Sequence, residues 1–179
     1  MHDFCPLITV ITPSWNRSHF LNRLWQGLNE QTYTNFEWVV CDDGSTDDTA
    51  QKIQFFLETA SFSMTSIIAS EHVGKARMDN EAVARAKGDY VIWCDSDDYL
   101  LPNAITDMVN ILRSIPACNR DNYVGVTALC ADENGNVIST DLPFDREFDT
   151  TWNELVTTHN VKGDMIYMTR LDALKKNPF

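Results

Sequence analysis

The chain has 179 residues, and 26 acidic against 14 basic side chains give a net charge of −12 and a pI near 4.5. That length suits one domain at ~150 residues each, and the charge excludes a nucleic-acid binder, which needs basic surface to displace counterions from phosphate; anionic membrane surfaces are disfavoured too. Apolar residues make up 44% of the chain, just below the ~45–50% of ordinary globular domains, so a packed core is expected and disorder is not.

Leu7-Ile8-Thr9-Val10-Ile11 is a β-branched run ended by Pro13 and reads as a buried strand. Leu21, Leu24, Trp25 and Leu28 then fall at i, i+3, i+4 and i+7, the face of an amphipathic helix. Phe36 to Cys41 is a second apolar strand, stopped by Asp42-Asp43-Gly44-Ser45. Ser45 with Asp48 predicts an N-cap for a helix whose face is Ile53, Phe56, Leu57 and Ala60. Ser66 to Ala69 is a short third strand. Gly74 to Lys87 is helical, with Gly88 as its C-cap. Tyr90 to Cys94 is a fourth strand, and Pro102 opens a helix through Ile105, Val109 and Leu112. Further on, Tyr123 to Cys130 reads as a strand, Asn134-Gly135 as a hairpin turn with Val137-Ile138 returning, Trp152 to Val156 as a short helix, and Met165 to Met168 as one more strand.

Strands alternating with helices imply an α/β fold with a parallel sheet covered on both faces. Ligands in such sheets bind beyond the carboxyl ends of the strands. Three strands end there in polar clusters: Pro13-Ser14-Trp15-Asn16-Arg17, Asp42-Asp43-Gly44-Ser45, and Asp95-Ser96-Asp97-Asp98. Strand alternation at the exit would put Asp95 and Asp97 on one side, where two carboxylates can share Mg²⁺ or Mn²⁺ completed by phosphate oxygens and water. Taken alone, Asp-x-Asp is weak evidence and reads first as a solvated turn. An acid after the second strand could accept an N–H from a nucleobase, or simply make the turn. Arg17, Lys75 and Arg77 could meet phosphates or face solvent.

Other site types fail. No Gly-x-Gly-x-x-Gly follows the first strand, Gly74-Lys75-Ala76 is not a P-loop, and no Gly-x-Ser-x-Gly occurs. The five cysteines contain no Cys-x-x-Cys pair, so neither a zinc site nor a disulfide framework is expected, and a reducing compartment fits. The N-terminus lacks the pattern of a signal peptide, and no run approaches the ~18 apolar residues of a membrane span.

The order of the pieces carries more than any one of them. Val10-Ile11-Thr12-Pro13-Ser14-Trp15-Asn16-Arg17, Gln31-Thr32-Tyr33, Phe36 through Asp47, Gly74-Lys75-Ala76-Arg77-Met78-Asp79-Asn80, Ala86-Lys87-Gly88-Asp89-Tyr90 and Asp95-Ser96-Asp97-Asp98 together resemble inverting family-2 glycosyltransferases. The resemblance covers roughly residues 6 to 103 and is loose beyond them. It implies a three-layer α/β/α, Rossmann-like GT-A domain with a mostly parallel central sheet: residues 1–103 as the nucleotide-sugar half and 104–179 as the remainder of the same domain. It implies a nucleotide-diphospho-sugar donor, commonly UDP-linked, a glycan or lipid-linked acceptor hydroxyl, and Mn²⁺ or Mg²⁺. By position, Pro13, Trp15 and Asp43 would line the nucleoside pocket, Trp15 standing where the family often has Tyr. Arg17, Lys75 and Ser96 join them as donor-site residues, and Asp95 and Asp97 match the metal-binding pair, with Asp97 the direct ligand. Inversion needs a general base for the acceptor hydroxyl. The family supplies it in an acidic motif downstream. Asp164 is the nearest match in this chain, while the family's own base is expected beyond Phe179, the chain being truncated before the acceptor region. A cytoplasmic setting is expected, with a position peripheral to the inner face of a membrane as the option that the resemblance leaves open. The alternative is a non-catalytic sugar-nucleotide-binding module that shares the donor residues and lacks the base. A haloacid-dehalogenase reading of Asp95-x-Asp97 fails on Asp98 and Tyr99, and a receiver-type domain leaves Pro13 to Arg17 without a role.

Overall fold

The computed structural model describes residues 4–138 and 147–179. They divide into two compact units, residues 1–126 with 167–179, and residues 127–166.

The strands are β1 (Ile8–Ser14), β2 (Phe36–Asp42), β3 (Ser63–Ile68), β4 (Tyr90–Trp93), β5 (Gly125–Leu129) and β6 (Met165–Arg170). The helices are α1 (Ser18–Asn29), α2 (Thr49–Thr59), α3 (Lys75–Arg85), α4 (Ala104–Ser114), α5 (Trp152–Thr157) and α6 (Leu171–Lys176). The sheet runs β3-β2-β1-β4-β6-β5. β1 pairs in parallel with β2 and β4, and β2 with β3, while β6 runs antiparallel to β4. This is the mostly parallel α/β architecture expected. β6, however, inserts beside β4 ahead of β5, an order that sequence adjacency does not suggest.

Central strands buried on both faces explain why β1 and β2 are mostly apolar, with Thr9, Thr12 and Glu37 as buried polar exceptions. Ile11, Val39, Cys41 and Val91 face α3 and α6 through Met78, Ala82, Val83 and Leu171. On the other face Trp38 meets Trp25 of α1 and Phe56 of α2, with ring centroids 5.9 and 6.0 Å apart. The layers are therefore helix, sheet, helix. Burial pushes the Cys41 thiol up to about 12, so it behaves as a small apolar core residue.

Several local expectations are corrected. β1 continues through Pro13 to Ser14 instead of ending before the proline. Its pairing with β4 stops at Ile11↔Trp93, so beyond that point β1 has the character of an edge, where a missing N–H is tolerated. β3 begins at Ser63 and not Ser66. α3 ends at Arg85, with Ala86 already extended, and Gly88 is no C-cap. Gly88 is instead a close-approach residue: a Cβ there would lie 2.7 Å from the Thr9 amide nitrogen. The same corner is tied by a buried carboxylate. Glu37 Oε1 accepts from Thr9 Oγ1 and from the Lys87 amide, both at 2.7 Å.

Ser45 does not cap α2. Its hydroxyl accepts from the Asn16 amide at 2.8 Å, and Asp47 does the capping. Asp47 Oδ1 accepts from the Thr49 amide at 3.0 Å and Oδ2 from the Ser18 amide at 3.1 Å, so one carboxylate serves the first turns of α1 and α2. Burial works against its ionisation, but the bonds from Thr49 and Ser18 outweigh it and hold the carboxyl down to about 2.

In the second unit, Asp132 organises the expected turn. Its Oδ1 accepts from the Asn134 and Asn136 amides, and Gly135 takes φ +82. Ala131 and Val137 then form an antiparallel bridge. α5 starts with a reciprocal capping box between Thr151 and Glu154, a signal that the sequence reading passed over. Only Leu155 of α5 is buried; Trp152 and Val156 are exposed. Among the described residues no helix is long and apolar enough to cross a membrane.

Candidate donor site

The loops after β1, β2 and β4 and the start of α3 meet at the carboxyl ends of the parallel strands. They enclose a cleft of about 330 Å³ lined by Pro13, Ser14, Trp15, Arg17, Asp43, His72, Lys75, Met78, Asp95, Ser96 and Asp97, all in the first unit. Every donor and metal residue expected from sequence lies in that lining.

The β1 loop is shaped by Asn16 in the left-handed region, at φ 53. Its Oδ1 accepts from the Thr46 amide at 2.8 Å, so the loops after β1 and β2 are stitched together. Gly44 sits at φ +68 with its α-carbon against the Glu71–His72 backbone; a Cβ would come within 2.3 Å of the Glu71 carbonyl carbon. Only glycine fits that turn.

Asp42 and Asp43 are both buried and do different work. Asp42 Oδ1 accepts from the Ser45 amide at 3.1 Å and shapes its own turn. Asp43 reaches across the site. Its Oδ1 accepts from the Val73 amide at 2.6 Å, its Oδ2 from the Gly74 amide at 2.9 Å, and Oδ2 also lies 2.9 Å from His72 Nδ1. The carboxylate thus fixes the loop entering α3 and presents its charge to the cleft. His72 stacks on the half-exposed Trp15, with centroids 4.2 Å apart and planes 24° from parallel.

At the other end of the cleft stand the two outer acids. β4 ends at Trp93, and residues 95 to 98 form a turn closed by the Asp98 amide donating to the Asp95 carbonyl at 3.0 Å. Strand alternation therefore does not align Asp95 and Asp97; the turn does, with Ser96 buried between them. Each carboxylate has its own cation. Arg17 Nη1 donates to Asp97 Oδ2 at 2.8 Å, and Lys75 Nζ to Asp95 Oδ1 at 2.9 Å. Among the described residues no group of three or more His, Cys, Asp and Glu side chains is placed to hold a metal. Two hard carboxylates still suit Mg²⁺ or Mn²⁺, which are typically held by one or two carboxylates plus substrate phosphates and water.

Asp79 of α3 is buried beside the partly buried Trp93 of β4. Burial raises the Asp79 carboxyl, opposed first by the Lys75 charge and then by the Trp93 indole. Neither Asp79 Oδ1 nor Trp93 Nε1 completes a hydrogen bond, and the buried hydroxyl of Ser14, a residue of the cleft lining, also has none.

Asp164 lies in the second unit, exposed just ahead of β6, with its carbonyl accepting from the Cys130 amide at 3.3 Å. Phe179, the last residue of the sequence, packs against Trp93. Its ring stands edge-on to Trp93 with centroids 5.6 Å apart, its amide donates to Asn80 Oδ1 at 3.0 Å, and it is absent from the cleft lining. The base expected beyond Phe179 lies outside the described residues.

Sequence reasoning missed Ser14, His72 and Met78 as lining residues. Ser14 sits inside the Pro13-to-Arg17 cluster and is legible there. Nothing in the spacing of His72 announces its contacts with Trp15 and Asp43.

Comparison with known proteins places this architecture. Chondroitin synthase of Escherichia coli is 33% identical over 136 residues, which is 75% of this chain and 19% of that protein. The chain thus spans about a fifth of that relative's length. A mannosyltransferase of Pyrobaculum calidifontis, solved with GDP-Man and Mn²⁺, superposes with TM-score 0.58 at 29% identity over 63% of this chain and 34% of its own. Staphylococcus aureus TarS residues 1–349, solved with UDP-GlcNAc, gives 0.55 at 28% identity over 59% of this chain and 31% of its own. The same TarS segment in another crystal structure gives 0.62 over 95% of this chain and 48% of its own at 21% identity, a likeness of fold. The expected GT-A fold is thereby met. The family profile of glycosyl transferase family 2 matches residues 9–172, and the chain belongs to that family.

Proposed function

We propose that this chain carries the donor-binding domain of an inverting glycosyltransferase that moves a sugar from a nucleoside diphosphate, UDP in the first instance, to a hydroxyl of a glycan or lipid-linked acceptor. In this reading Trp15 and Pro13 pack against the base, and Asp43 accepts a ring N–H. Arg17 and Lys75 take the diphosphate, assisted by Ser96. Asp97, with Asp95, would hold Mn²⁺ or Mg²⁺, and such an ion supplies charge neutralisation to a departing diphosphate. The acceptor oxygen bonds to the anomeric carbon as the bond to the diphosphate oxygen breaks on the opposite face, and the hydroxyl proton passes to a carboxylate base. Within this chain, Asp164 is assigned to that last role.

One observation supports the reading most: two acids matched to two long-armed cations at 2.8 and 2.9 Å in a single cleft. Relatives of known structure point the same way, since the mannosyltransferase was solved with GDP-Man and Mn²⁺ and TarS with UDP-GlcNAc. Calorimetry with UDP and Mn²⁺ tests it. Metal-dependent binding by the wild type should disappear in Asp97→Ala; binding retained in that variant refutes the assignment. Donor turnover by Asp164→Asn, compared with wild type, tests the base.

A further inference from the structure

The stacked imidazole of His72 makes two contacts at once. Its face lies on Trp15 at a centroid distance of 4.2 Å, and its Nδ1 lies 2.9 Å from Asp43 Oδ2. A carboxylate has no hydrogen to give, so Nδ1 carries the proton and donates it. A flat ring on Trp15 with a ring N–H aimed at Asp43 is also the pair of contacts that the proposed reading assigns to the nucleobase. We infer that His72 is an internal stand-in for the base, occupying its stacking face and its carboxylate partner until a nucleotide displaces it. The inference rests on the nucleotide-binding reading above.

Space decides against a shared arrangement. Seating a base between the two rings would need roughly 7 Å between them, twice the ~3.5 Å of a van der Waals contact. Trp15 and His72 stand well inside that distance. The base and the imidazole therefore compete for one place. Chemistry makes the competition uneven. Ser14 lines the same cleft, is only 4% exposed, and its buried hydroxyl has no hydrogen-bond partner. The imidazole satisfies Trp15 and Asp43 but leaves this buried polar atom unmet, which a larger heterocycle with its ribose could answer.

His72 is free to leave. Its side chain is about half exposed. The loop does not depend on it, because Asp43 holds the Val73 and Gly74 amides independently of the imidazole. Displacement thus moves one side chain and costs the protein one stack and one hydrogen bond. A competitor of this kind lowers apparent affinity by the fraction of molecules in which it is in place.

The test compares wild type with His72→Ala. Calorimetry with UDP and Mg²⁺ should show about three- to tenfold tighter binding in the variant. Independently, the His72 ring-proton resonances, assigned by their loss in His72→Ala, should be shifted upfield by the Trp15 ring in the free protein. They should move back toward ordinary histidine values on saturation with UDP and Mg²⁺. Equal or weaker UDP binding by His72→Ala, with wild type binding normally, overturns the inference and leaves the nucleotide reading intact. Resonances that stay shifted at UDP saturation overturn it as well. If neither protein binds UDP, the nucleotide reading fails and this inference with it.

Discussion

Replacing Arg17 by alanine should move two affinities in opposite directions. Arg17 Nη1 lies 2.8 Å from Asp97 Oδ2, and both side chains are more than two-fifths exposed. Coulomb attraction at that separation in bulk water is ~1.5 kcal/mol, and the rotamer freedom lost in holding two long side chains reduces such exposed pairs to ~0.2–1 kcal/mol. Asp97 released from that competitor should hold Mn²⁺ up to about fivefold more tightly, the factor that corresponds to ~1 kcal/mol. The diphosphate, by contrast, loses a charged hydrogen-bond donor, an interaction of ~1.5–3 kcal/mol. UDP binding at saturating Mn²⁺ should therefore weaken by at least about tenfold. Electron paramagnetic resonance reads free Mn²⁺ in the first titration, and calorimetry reads UDP in the second. If both affinities fall together, or if neither changes, Arg17 does not pass from acid to phosphate and the exchange is refuted.

Trp15→Ala should weaken UDP binding by ~1–3 kcal/mol, the scale of base–aromatic stacking, while Trp15→Phe keeps most of it; calorimetry on both variants separates stacking from bulk. Asp47→Ala removes the acceptor for the first amides of α1 and α2 and should lower unfolding stability by ~1–2 kcal/mol in urea, the usual range for a lost cap. Because that carboxyl is held down to about 2 from an ordinary 3.8, its contribution is complete above pH 3.8 and fades as pH falls toward 2. The stability gap between wild type and Asp47→Ala should close over that window. Asp79 carries the opposite sign: its carboxyl is raised by burial, so the folded state holds the proton longer and stability declines as pH rises from 3.8 through the folded value. Asp79→Asn should flatten that slope in urea melts between pH 4 and 8.

The sheet and most of the cleft were legible because their causes are local. β1 and β2 are mostly apolar and buried on both faces, and parallel strands with helical crossovers place their carboxyl ends together, so the clusters at Pro13, Asp43 and Asp95 had to share an edge. What escaped depends on distant partners. Ser45 has the right residue type and spacing for a cap, yet the Asn16 amide, 29 positions away, takes its hydroxyl and leaves the cap to Asp47. Asp95 and Asp97 lie in the cleft for a reason other than strand alternation, since β4 stops at Trp93 and a turn takes over. His72 was invisible because its meaning comes from Trp15 and Asp43, which no periodicity links to it. The place of β6 beside β4 likewise rests on antiparallel pairing with a strand about 75 residues earlier.

The central position of β1 has a consequence for how the molecule comes to be. β2 follows β1 after a single helix, but β4, the partner on the other side, arrives only with residues 90 to 93, and the Arg17–Asp97 contact spans 80 positions. Such long-range parallel pairings close late and slowly, because the chain between them must be ordered first. A nascent or truncated chain ending before β4 would leave β1 an open edge and hold neither outer acid. Whatever binds across the three loops therefore recognises the finished sheet. By mass action it stabilises the whole first unit at once, and its thermal shift reports completion of folding instead of the ordering of a loop.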